Sequence, residues 1–308
     1  MSHAASPATA EVATHRGRAT ALILFSACCF GSIPILITLA TRSGARLTDV
    51  LAWRYLVAAL LLVLVSGGPS GVRLPRRRAL TLLLLGGGGQ AAVAVVSLSA
   101  LAYIPAATLT FLFYSYPAWV AIIAAVRGTE PLTTRRIGAL MLSLVGLALM
   151  IGMPGAGGLA PVGVALALAS ALLYAAYIPL IDHLGAGLAP AVTATYASGG
   201  AAVILTVMAL AAGGLSLHFA PAGWTAIAVL AVVCTVLAFL AFLRGLATIG
   251  SVRTAIVSTV EPFWAAILGS AVLGQQLGAR TYAGGMLIAL AVIVLQLGHR
   301  ELAPAPAA

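Results

Sequence analysis

The run PAWVAIIAA begins at Pro117, and the run PFWAAILGS begins at Pro262. The two lie 145 residues apart, and at that shift Trp119 meets Trp264, Ala121 meets Ala266 and Ile122 meets Ile267. Without gaps the same shift pairs Ile33 with Ile178, Pro34 with Pro179, Leu101 with Leu246, Ile104 with Ile249 and Arg135 with Arg280. One apolar unit therefore occurs twice. In a chain this hydrophobic, that is the mark of a membrane fold built from repeats.

Composition agrees. The 308 residues are 62% hydrophobic and 7% charged, whereas a soluble domain is about 25% charged. A bilayer-spanning helix needs roughly 20 mostly apolar residues. Ten such runs are legible, at 19–41, 48–67, 79–100, 105–126, 134–152, 161–182, 190–212, 222–243, 252–273 and 281–298. Turn-rich breaks separate them: GGPSG at 67–71, GMPGAGG at 152–158 and AAGG at 211–214. Residues 1–18 and the tail 299–308 are rich in Ala, Ser, Thr and Pro and read as disordered. The first five-helix unit spans 19–152 and the second 161–298. The fold class is all-α integral membrane, with ten helices around a central cavity.

Arginine placement sets the expected orientation. The net charge is +10 and every basic residue is Arg, but the arginines sit in short loops and do not form one nucleic-acid patch. With the N-terminus inside, twelve fall on the cytoplasmic side: Arg16, Arg18, Arg73, Arg76, Arg77, Arg78, Arg127, Arg135, Arg136, Arg244, Arg253 and Arg300. Arg42, Arg46 and Arg280 fall outside, and Arg54 lies within the second helix. This bias puts both termini in the cytoplasm. Five crossings per copy is an odd number, so the second copy lies inverted. The loop after helix 4 carries Arg127, Arg135 and Arg136, and its equivalent after helix 9 carries only Arg280, as inversion requires.

Mid-membrane polar residues mark the expected site. An ionisable side chain there costs roughly 2.5–3.5 kcal/mol on insertion scales. Glu261 precedes Pro262 and lies about nine residues into its helix, hence about 14 Å deep. It reads as a proton carrier or a partner for a substrate amine; the other reading is a buried acid bonded to a neighbouring helix. Trp264 is three residues on and shares its face. The repeat places Tyr116 opposite Glu261 and Trp119 opposite Trp264, with Tyr114 one turn back. An aromatic wall facing an acid suits a ligand with an apolar body and a cationic head; aromatic packing is the alternative. Helix 6 contributes Tyr174, Tyr177 and Pro179, matched by Gly31, Ser32 and Pro34 in helix 1. Asp182 and His183 close helix 6, as a gate, a relay or a solvated end. Arg54 either snorkels, pairs structurally or turns inward toward a carboxylate. Gln90 follows four glycines, 86–89, that permit close helix approach.

Cys28, Cys29 and Cys234 have no metal or redox spacing. The chain has no HExxH motif and no nucleotide-binding loop, so no cofactor and no direct ATP drive is expected. The partners expected are a small-molecule substrate and the lipid bilayer. The sequence leaves a homodimer open.

The chain resembles the EamA-type transporters of the drug/metabolite transporter superfamily. The resemblance lies in ALAYIPA at 100–106, the mid-helix proline of YPAWV, and GTEPLTTRRIG at 128–138. The second copy, RGLATIGSVRTAIVSTVEPFWAAILGSAVLG, follows the pattern but carries Gln275 where that family usually has Glu. The resemblance implies a secondary transporter of small metabolites across the cytoplasmic membrane, working by alternating access and often outward. It is not expected to be an enzyme. The competing readings are an intramembrane enzyme acting on a lipid or peptide, and a non-transporting scaffold.

Overall fold

Leu, Ala and Val dominate each apolar run, and in hydrocarbon the backbone must satisfy its own hydrogen bonds. Helices follow. The structure, a computed structural model, describes residues 7–104, 106–151 and 160–297. Nine helices long and apolar enough to span a bilayer occur among them: α1 (His15–Arg42), α2 (Leu47–Val65), α3 (Arg76–Ser97), α4 (Thr108–Val126), α5 (Thr134–Ile151), α6 (Pro161–Gly185), α7 (Pro190–Ala211), α8 (Pro221–Ile249) and α9 (Ser251–Leu273). A tenth, α10 (Ala279–Leu297), is equally apolar and shorter in its spanning part.

The N-terminus differs from expectation. Helix runs from Pro7 straight into α1, so residues 7–18 are not irregular. Alanine is the best helix former and proline suits a first turn, and PATAEVA supplies both. Residues 1–6, the tail 299–308 and the 152–158 turn lie outside the described residues.

Proline breaks helices where its ring removes a backbone bond. α1 is interrupted at Ser32, two residues before Pro34; there the Ser32 hydroxyl donates to the Cys28 carbonyl at 2.8 Å. Pro179, its repeat mate, sits inside an unbroken α6. α4 is interrupted before Pro117 and α9 before Pro262, at matching places. Hydroxyls cover carbonyls at both breaks: Ser115 to Leu112, and Thr259 to Ile256, each at 2.6 Å.

The two halves exchange under a two-fold. α1 packs along α8 and α9 as α6 packs along α3 and α4; α2 meets α7, and α5 meets α10. Equivalent helices run in opposite directions. α1 starts where Ala19 and Ile23 meet Gly245 near the end of α8, and finishes where the Ser43 carbonyl accepts from Ala220 N–H. α6 starts beside Tyr103 and Ile104 and finishes where Arg78, at the start of α3, donates to the Leu184 and Ala186 carbonyls. One end of the bundle, called here the first, thus carries loops 2–3, 4–5, 6–7 and 8–9. The second carries loops 1–2, 3–4, 7–8 and 9–10. At the second end Arg46 clasps Asp49 and the Ala212 carbonyl, and its hydrogen bond to that carboxylate raises its pKa.

Small residues set the tightest contacts, as lipid-embedded packing favours. A Cβ on Gly146 of α5 would stand 2.7 Å from the Gly284 carbonyl oxygen of α10. Cys29 and Cys234 are buried in an apolar cluster with Ala40 and Leu230.

Candidate functional site

Two helices that interrupt themselves at mid-depth shape the centre. Leu85–Gln90 in α3 and Val232–Leu237 in α8 are wound as π-helix, a form that widens a helix locally and gathers at functional sites. The 145-residue shift maps Gln90 onto Thr235, so the bulges are repeat mates. The glycines serve this geometry. Gly86 and Gly87 let α3 meet α7 at Ala197 and Gly200, and Gly89 clears the Tyr177 ring, 2.6 Å from where a Cβ would stand.

Between these helices lies a cavity of about 240 Å³. Phe30 and Ile33 of α1, Arg54 and Tyr55 of α2, Gln90 and Val93 of α3, Phe113 of α4, Tyr174 and Tyr177 of α6, Thr235, Phe239 and Phe242 of α8, and Glu261 of α9 line it. The lining comes from α1, α2, α3, α4, α6, α8 and α9, and α5 and α10 stay outside it. α2 brings Arg54 inward, one of the placements its sequence allowed.

Each polar group is held by the wall. The Tyr114 hydroxyl donates to the Glu261 carboxylate. Arg54 is buried at 6% exposure; its Nε donates to Thr235 Oγ1 at 2.7 Å and its Nη2 to the Cys234 carbonyl at 3.3 Å. Its guanidinium also sits 4.9 Å from the Tyr55 ring centroid. The snorkelling alternative therefore falls, and the direct pair with Glu261 gives way to Thr235. Gln90 Nε2 donates to the Tyr177 hydroxyl at 2.9 Å.

Tyr114, Tyr116, Trp119 and Trp264 are not among the side chains that line this cavity. Tyr116 is 1% exposed, packs edge-on to Tyr174 at 4.8 Å and shares a hydrogen bond with Ser258. It fills the place that its mate Glu261 leaves open, so the pseudo-symmetry of the backbone does not extend to the side chains. Trp264 donates to Ser32 Oγ at 2.9 Å and ties α9 to the α1 break; its ring and the Glu261 carbonyl both press on Gly31. Trp119 packs against the apolar core. Tyr114 reaches the site through Glu261. Phe113 stacks on Tyr174 at 5.5 Å, and Tyr174 on Tyr177 at 6.3 Å.

A second, larger cavity of about 540 Å³ opens at the first end, where Arg127, Glu130, Asp182 and His183 line it. On α6 one turn separates Tyr177, facing the centre, from Ile181, facing the vestibule; on α8 the neighbours Phe242 and Leu243 divide the same way. All four are buried, so the centre is shut toward that end.

Residue reasoning missed Thr235, Tyr55, Phe113, Phe239 and Phe242. Thr235 was within reach, because the repeat shift from Gln90 points to it.

No curated protein matches the chain. A solved structure described as "Crystal structure of protein" shares the fold with a TM-score of 0.77 at 17% identity, covering 92% of this chain and 97% of that one. The model of the EamA-like transporter family matches residues 17–152 and 161–297. These two stretches are the two halves that the repeat and the helix exchange define, and the chain belongs to the EamA-like transporter family.

Proposed function

We propose that the protein is a secondary transporter that carries a small amino-acid-like metabolite across the cytoplasmic membrane by alternating access, outward, in exchange for protons. The observation that carries this reading is one cavity holding an acid, Glu261, and a cation, Arg54, among aromatic rings. A zwitterion with an apolar body satisfies all three: carboxylate to guanidinium, ammonium to carboxylate, body to Phe113, Tyr174 and Phe239. Wall bonds to Thr235, Cys234 and Tyr114 pre-orient both charged groups, which spares a ligand that cost.

Glu261 also fits the coupling role. A carboxyl at mid-depth is costly to leave charged without a partner, so taking up a proton when the ammonium leaves restores its balance. The arginine bias supports an orientation with the first end, and both termini, in the cytoplasm. Reconstituted vesicles test the reading. Labelled apolar amino acids should move, and faster with an opposing proton gradient. Movement of neither zwitterions nor amines at any gradient contradicts it.

A further inference from the structure

The repeat is also broken at the first end, beside the vestibule. Glu130, in the loop after α4, reaches across to the start of α9 in the other half. Its Oε1 accepts from the Ser251 N–H at 2.7 Å, the Ser251 hydroxyl at 2.8 Å and the Val252 N–H at 3.2 Å. Its Oε2 lies 3.3 Å from Arg136 Nη1. Gly250 makes room: its φ is +81°, and a Cβ there would stand 2.9 Å from Glu130 Oε1. A carboxylate on a helix N-terminus satisfies otherwise orphaned N–H groups and the helix dipole. Glu130, Gly250 and Ser251 all line the vestibule at the first end.

The 145-residue shift pairs these three residues with Gln275, Pro105 and Ala106. The acid, the left-handed glycine and the hydroxyl are each replaced. Gln275 instead turns back on its own helix, where a Cβ on Gly269 would stand 2.5 Å from Gln275 Oε1. The strap therefore exists at one end alone among the described residues, and it is the end at which the centre is shut.

We infer that Glu130 is a one-sided latch, a positioning residue that holds the two halves together at the first end and weights the transport cycle toward the state closed there. The inference rests on the alternating-access reading. In a mirror-built transporter the two facing states are otherwise near-equivalent, so one charge-assisted cap of this kind sets their ratio.

The test uses spin-label distances in a background lacking Cys28, Cys29 and Cys234. One pair, Ala189 and Thr248, reports the first end; the other, Tyr103 and His218, reports the second. All four positions are exposed. Glu130→Gln should raise the population open at the first end by about tenfold, the scale of a lost helix cap, and shorten the second-end distance in step. Ser251→Ala should shift it the same way, and add little in the Glu130→Gln background. An unchanged ratio in Glu130→Gln, or independent additive effects of the two substitutions, overturns the latch. If Glu130→Gln does not fold, Ser251→Ala decides alone. Fixed single distances in the parent, with and without a gradient, would instead overturn alternating access.

Discussion

At Arg54 charge and geometry can be separated. Thr235→Val keeps the guanidinium and removes the hydroxyl that orients it; Arg54→Leu removes both. Affinity for a zwitterion should fall severalfold in the first and about a hundredfold or more in the second, since a charge-assisted hydrogen bond contributes roughly 1.5–3 kcal/mol. A matching amine without carboxylate should be barely affected by Thr235→Val. Equilibrium binding to the purified variants checks the order. Equal losses for both ligands would remove Arg54 from carboxylate recognition. Trp264→Phe loses the bond to Ser32 and should cost about 1 kcal/mol of stability, read by thermal unfolding, with ligand preference unchanged. Glu261, Arg54, Gln90, Tyr174 and Tyr177 were legible as cavity residues, because a polar group at that depth in an apolar helix needs a reason. Tyr116 and Trp264 lie outside the cavity lining, a placement that helix periodicity does not reveal because it gives a face, not what lies against it. The face of α9 that carries Trp264 meets α1 at Gly31.

Among the elements, the glycine run of α3 gives the sharpest contrast. Gly86 abuts the Ala197 backbone of α7, whereas Gly88 has open space within 4 Å. Gly86→Ala should force α3 from α7 and cost about 2–3 kcal/mol, in the range of overpacked contacts; Gly88→Ala should be neutral or slightly stabilising. Melting temperatures in detergent decide. Similar values for the two would mean that α3 and α7 are not fixed by this contact. The existence and order of ten helices followed from apolar run length alone. The π-bulges did not, because Leu85–Gln90 and Val232–Leu237 share no composition: one is glycine-rich, the other β-branched. Only their tertiary setting matches. Arg54 already allowed α2 to face inward, but Tyr55 beside it in the cavity wall was not legible, since the rotation of α2 about its own axis depends on α7 and α8.

On the scale of the molecule, inversion was readable because an odd number of crossings and reversed arginine loops leave one arrangement. What the repeat could not reveal is where its halves part company. Glu261 stands against Tyr116, Gln90 against Thr235 and Glu130 against Gln275, and these unequal pairs are the ones placed at the cavity and its closure. In the proposed cycle the two-fold scaffold would supply the two facing states, and the unequal pairs the chemistry and direction. The central claim is that Glu261 exchanges a proton for the ligand's ammonium. Its most direct measurement is gradient-driven transport by Glu261→Gln beside the parent in vesicles, over a range of pH and with folding checked by gel filtration. The account predicts that the parent is accelerated by the proton gradient and that the variant, folded and inserted, is not driven by it at any pH. A variant that responds to the gradient as the parent does would make Glu261 a structural acid and contradict the claim.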